Sequence, residues 1–178
     1  MKKLLFAITC FLLVGCTNVD ESKPTPRTDS YPNMYKMESN DFLYELEVSP
    51  TKIASGEEIH IVAKLTYIGD EAEIVISHAA SPFYFDLYET TRGYDIQYAM
   101  DMPSIVTTLK KGEPLITKYE TTGGFGEEQP EAYKQFMKAF LSGNYPEGYY
   151  KVHGYVKFVR EGESEEITYG GYVGFKVN

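Results

Sequence analysis

Two cysteines and three histidines are the side chains of this 178-residue chain with the strongest claim on chemistry. A thiolate can attack an electrophile, pair in a disulfide or ligate a metal, and imidazole is the commonest transition-metal ligand. His60, His78 and His153 are far apart in sequence, and His60 and His153 fall on the polar phase of strand-like stretches, so they are expected to be surface histidines with no metal between them. Serine hydrolysis would need a nucleophile elbow of the Gly-x-Ser-x-Gly kind, which the chain lacks. Glu127, Glu128 and Glu131 flank Pro130 just ahead of an apolar-periodic stretch. Carboxylates there favour the positive end of a helix, and the Asp-x-Asp-x-Asp-Gly spacing of a calcium loop is missing. The glycine-rich "TTGGFGEEQ" matches neither a P-loop nor a dinucleotide fingerprint, and is expected to be a mobile loop. The chain is therefore expected to hold no catalytic residue, no metal and no cofactor, and not to be an enzyme.

The cysteines point elsewhere. Lys2 and Lys3 precede an apolar run from Leu4 to Val14, about 11 residues, the length of a signal-peptide core. About 20 such residues would be needed to span a bilayer. The run closes with Leu13, Val14, Gly15 and Cys16. This sequence resembles the lipobox of bacterial lipoproteins, in which the cysteine thiol takes a diacylglyceryl group and becomes the first residue of the mature chain. The resemblance implies a signal peptide over residues 1–15 that carries Cys10 away, and a lipid anchor at Cys16. Two acyl chains give stable membrane attachment, at about 0.8 kcal/mol per buried CH₂. The expected location is the extracytoplasmic face of the cell membrane, with the bilayer as first partner. No free thiol would then remain for a disulfide, a metal or catalysis.

Loss of Lys2 and Lys3 moves the formal charge from −9 to −11. An acidic chain lacks the lysine and arginine footprint that nucleic-acid phosphates require, so nucleic acid is excluded as a partner. From Thr17 to about Asn40 the chain is rich in Pro, Ser, Thr, Asp and Asn with no apolar period. Residues 16–41 are thus expected to be the lipidated N-terminus and a flexible tether. Residues 42–178 suit one domain, large enough to hold a core without disulfides.

Within that domain the period is mostly two. Phe42, Tyr44, Leu46 and Val48 alternate with polar or smaller neighbours, as do Ile59, Ile61, Ala63, Leu65 and Tyr67. "EIVIS" reads as a short strand partnering the second of these. Phe83, Phe85 and Leu87 alternate with Tyr84, Asp86 and Tyr88, and Arg92-Gly93 suggests a hairpin turn into "YDIQYAM". A strand on each side of "KKGE" follows, and two long strands meet around Glu161-Gly162, the last with Ile167, Tyr169, Gly171, Val173, Phe175 and Val177 on one face. One segment breaks the pattern. Tyr133, Phe136, Met137 and Phe140 have helical spacing, with Pro130 near the start and Gly143 at the stop. The expected fold is all-β, an immunoglobulin-like antiparallel β-sandwich with one inserted short helix; a closed barrel is the alternative.

The run "SGEEIHIVAKLTYIGDEAEIVISHAASPFYFDLYETTRGYDI", followed by "LKKGEPLITKYE" and "YPEGYYKVHGYV", is similar to the BsuPI-type intracellular proteinase inhibitor domain over about residues 42–160. The resemblance implies an immunoglobulin-like fold. It also raises proteinase inhibition, with an exposed edge strand or loop as substrate mimic.

Tyrosine is the unusual feature of the composition, with sixteen copies. Tyr84, Tyr88, Tyr94 and Tyr98 cluster in and after the aromatic hairpin, and tyrosine supplies rigid contact area with a polar tip. Tyr84, Tyr88 and Tyr94 are expected to form one partly exposed binding patch. The functional expectation is a membrane-anchored, extracytoplasmic, non-enzymatic module that binds a protein or ligand. The alternatives are a proteinase inhibitor and an accessory subunit of an envelope complex.

Overall fold

The computed structural model describes residues 31–178. Cys16, the signal-peptide stretch and most of the expected tether lie outside the described residues.

Alternation builds the first sheet. In β2 (Phe42–Ser49) and β4 (His60–Tyr67) every second side chain is buried, and the strands pair antiparallel with Tyr44 opposite Leu65 and Leu46 opposite Ala63. β1 (Met34–Ser39) and β9 (Pro114–Lys118) flank them, so the order is β1-β2-β4-β9. β1 corrects the extent expected for the tether. Its Tyr35, Met37 and Ser39 are half-buried and its other residues exposed, so it is an edge strand with a weak apolar signal that pairing along β2 makes regular.

The second sheet is organised by two long strands, β10 (Gly148–Arg160) and β11 (Glu166–Val177), which pair antiparallel along nearly their whole length. On its other side β10 is shared. Its first half pairs with β6 (Phe83–Glu89), which carries the short β7 (Tyr94–Ile96), and its end pairs with β5 (Glu73–His78), which carries β8 (Ile105–Lys110). β3 (Lys52–Ile53) adds to β11 in parallel, the one departure from the expected antiparallel pairing among the described strands. The chain crosses between sheets twice in this region. β5 follows β4 but pairs with β10 and β8, and β8 and β9, close across the Lys110–Glu113 turn, go to different sheets. Alternation tells which side of a strand is apolar; it carries no information on which strand lies alongside.

The two sheets remain separate and pack face to face as a sandwich, not a closed barrel. Phe42, Tyr44, Leu46, Val48, Ile61, Leu65 and Tyr67 meet Phe83, Phe85, Tyr150, Val152, Val156, Phe158, Val173, Phe175 and Val177 in one core. Gly154 and Gly171 face each other across β10 and β11 on the inner side. A Cβ on Gly154 would stand 2.6 Å from Leu46 Cδ1 and 3.0 Å from Tyr44 Oη, and one on Gly171 would enter the Tyr35 ring. The paired glycines therefore let the β1–β2 side chains press onto the backbone of the opposite sheet.

The helix α1 (Glu131–Leu141) forms where its period places it, burying Phe136, Met137 and Phe140. Glu131 and Lys138 sit at the ends that suit their charges. Gly143 terminates the helix at φ +81°, donating to the Phe140 carbonyl while Asn144 donates to that of Ala139, a Schellman arrangement.

Candidate functional site

β6 puts Phe83, Phe85 and Leu87 in the core and turns Tyr84, Asp86 and Tyr88 to the outer face. Across β10 these meet Tyr155, His153 and Lys151, and β10 in turn sets His153 beside Tyr172 of β11. The result is a ladder of rings over three strands. Tyr84 stacks on Tyr155 at 5.0 Å and 6°, Tyr155 on His153 at 4.9 Å, and His153 on Tyr172 at 4.5 Å. Lys151 Nζ lies 3.9 Å from the Tyr172 ring centre and 5.2 Å from that of Tyr31, which stacks on Tyr149 and donates its backbone N–H to the Tyr149 hydroxyl at 2.6 Å. Two glycines of β11 lie beneath. A Cβ on Gly170 would be 2.5 Å from Tyr155 Cβ, and one on Gly174 2.5 Å from Tyr149 Oη, so the rings lie down on the strand because those positions are bare.

Tyr84 and Tyr88 share this face, and Tyr94 does not. Tyr94 stands opposite Glu89, which is buried on the inner side of β6, and its ring meets Tyr133 and Phe136 of the helix at 5.1 Å each. The single patch of Tyr84, Tyr88 and Tyr94 is thus corrected to two places. The reason is the hairpin register: residues paired across strands share a face, so Tyr94 follows Glu89 and not Tyr88. Tyr31, Tyr149, Lys151, Tyr155 and Tyr172 complete the outer face, beyond the three tyrosines that the sequence suggests. Their signal was the outer phase of β10, where Tyr149, Lys151, His153 and Tyr155 recur every second residue.

Tyr94 instead enters a cleft of about 820 Å³ between the end of β7 and the 121–130 loop. The glycine-rich loop expected to be mobile forms one wall of it. A smaller hollow of about 350 Å³ on the outer face is lined by Asp86, Tyr88, Lys151, His153 and Tyr172, and Asp95 borders both.

The histidines have separate surroundings. His60 is exposed and lies 3.5 Å from Glu58; His78 bonds the Ala79 carbonyl and the Thr107 hydroxyl through its two ring nitrogens. Among the described residues no three His, Cys, Asp or Glu side chains converge on one point. His153, expected at the surface, is half-buried between two tyrosine rings. Burial holds its imidazole below the ordinary 6.5; Asp86 opposes this and Lys151 adds to it. Burial, followed by the charge and hydrogen bond of Asp86, pushes the Tyr155 phenol up to about 12.

A depressed histidine makes the unfolded chain the better proton acceptor, so stability must fall as the pH falls through that window. The contribution of His153 is expected to be flat above about pH 7 and to be lost as the pH drops below about 6.5 through its folded value. Melting curves between pH 7.5 and 5 should show this slope in the parent and a reduced one in His153→Gln; equal slopes would refute it.

Fold and face together define a non-barrel β-sandwich bearing an aromatic outer surface and an adjoining cleft. No protein family matches the chain, and comparisons with curated proteins and with solved structures find no match either. Among the described residues no helix is long and apolar enough to cross a membrane.

Proposed function

We propose that this chain is a lipid-anchored, extracytoplasmic binding module that acts by contact and not by catalysis, with Cys16 as the anchor and the outer aromatic face as the contact surface toward a protein partner. The observation that carries the contact reading is the ladder of Tyr84, Tyr155, His153 and Tyr172, the last 41 % exposed, with Tyr88 37 % exposed beside it. These rings are already ordered against one another, so a partner would immobilise little that is free. Rigid aromatic area with polar tips is what protein contact surfaces favour. The anchor reading is supported by the Leu13–Cys16 sequence and by the charged and apolar residues that precede it.

Two substitutions test the two halves. Cys16→Ser should release the folded domain from membranes, because the thioether can no longer form; retention of the cleaved variant in the salt-washed membrane fraction would overturn the anchor. Tyr172→Ala should leave stability within about 1 kcal/mol but weaken recovery of a partner cross-linked to the parent on membranes, since aromatic hot spots commonly exceed about 2 kcal/mol. Unchanged recovery, with Tyr88→Ala also without effect, would remove the outer face from the proposal.

A further inference from the structure

The cleft beside the outer face has a chemistry of its own. Among the described residues its lining includes Tyr94, Tyr98, Phe125 and Tyr133, all half-buried, and Asp95 as the one charged residue. More negative charge stands close by. The Glu128 carboxylate folds back over Gly126 on the loop, and Glu120 acts on the Tyr98 phenol. Among the described residues the cations near it are already engaged, Lys151 of the hollow that Asp95 also borders lying over the Tyr172 and Tyr31 rings. Arg92 binds the Glu89 carboxylate and the Glu147 carbonyl, while Lys134 pairs with Glu131 at 3.3 Å and reaches the Glu127 carbonyl.

We propose that this cleft binds a small organic cation of the alkylammonium class, held against the aromatic walls with Asp95 as the nearest counter-charge. Ring faces attract a cation through their quadrupoles, best where water is partly excluded, and quaternary ammonium groups are the usual beneficiaries of such walls. A volume of about 820 Å³ admits a whole small molecule and not only a methyl group. The walls are braced from outside: Tyr133 Oη donates to the Asp95 backbone carbonyl at 2.8 Å, the Tyr98 N–H donates to Asp86 Oδ1 at 3.1 Å, and Thr122 Oγ1 donates to the Ala99 carbonyl at 3.1 Å. Because Tyr133 uses the backbone of Asp95, the side-chain carboxylate can be changed without removing that brace. The inference concerns the domain alone and stands whether or not Cys16 is acylated or the outer face binds a protein.

The test is calorimetric titration of the full chain, solubilised in a maltoside detergent, with choline and with its neutral isostere 3,3-dimethylbutan-1-ol. Choline is expected to bind at least about tenfold more tightly than the isostere, to perturb the tyrosine near-ultraviolet absorbance, and to weaken several-fold in Asp95→Asn while the isostere is unaffected. Tyr98→Leu should weaken choline as well. A third arm with N-acetyl-lysine methylamide assigns the source: tighter binding than choline would identify a peptide lysine as the ammonium donor, weaker binding a free quaternary amine. Equal affinity for choline and the isostere, no measurable binding of either ammonium compound, or undiminished choline binding in both variants would overturn the proposal.

Discussion

Glu89→Ala should lower the stability of the domain by about 3 kcal/mol, the lower end of what breaking a buried charged pair costs. Glu89 is fully buried at the end of β6, where the alternation Phe83, Phe85, Leu87 calls for an apolar side chain. It is there to close the turn into β7. Its Oε1 accepts the Thr91 N–H at 2.7 Å, and its Oε2 accepts the Arg92 N–H at 2.8 Å and Arg92 Nη1 at 3.2 Å. Gly148 leaves room for the carboxylate, because a Cβ at that position would collide with it. Alanine would take the acceptor from the part-buried Thr91 and Arg92 N–H groups, each loss costing up to about 1–3 kcal/mol where water cannot replace the carboxylate. The Arg92 side chain is 39 % exposed and regains water, which keeps the loss near the low end of the range. Glu89→Gln, which keeps an acceptor oxygen, should cost about half as much. Urea denaturation midpoints decide the matter, and a loss below about 1 kcal/mol for the alanine variant would show that the carboxylate does not hold the turn.

Phe140→Ala should cost about 3–5 kcal/mol and loosen the helix from the sandwich. The ring is fully buried between Tyr145 at 4.9 Å, Phe136 at 6.2 Å and Tyr150 at 6.4 Å, with Tyr150 stacked in turn on Phe175 of β11. An 11-residue helix has little stability of its own, so this apolar face is what keeps it formed. Lys138→Ala, two residues earlier on the exposed side, should change stability by under about 0.5 kcal/mol. Because α1 carries Tyr133, the Phe140 variant should also lose amide protection across residues 121–133 and with it the shape of the cleft. Matching denaturation midpoints for the two variants, or unchanged exchange in that segment, would mean that α1 is held by something other than this contact.

The path from Glu89 to the cleft shows how far alternation reaches. The phase of β6 alone places Tyr84 and Tyr88 on the outer face, and the structure puts them there. Nearness in sequence groups Tyr94 with them, but the pairing of Glu89 with Tyr94 sends it to the helix side. His153 read as an outer-face residue, and so it is, yet its burial comes from Tyr155 on its own strand and Tyr172 on the next. Met34–Ser39 reads as tether because an edge strand needs an apolar pattern on one side only, and Ser39 dilutes even that.

What the residues determined by themselves are local properties: the inward and outward sides of β2, β4, β6, β10 and β11, and the bounds of α1 from its i, i+3, i+4 spacing and Gly143. Each follows from the geometry of one backbone segment, with period two for a strand and 3.6 for a helix. Tertiary structure decided which strands lie together. It moved β5 away from β4, split β8 from β9 across a four-residue turn, set β3 parallel to β11 and brought β1 onto the sheet. Backbone hydrogen bonds between strands are the same for every sequence, so partner choice falls to the packing of whole faces. Tyr84, Tyr155, His153 and Tyr172 form one surface only because that packing placed three strands side by side, with glycines beneath the rings.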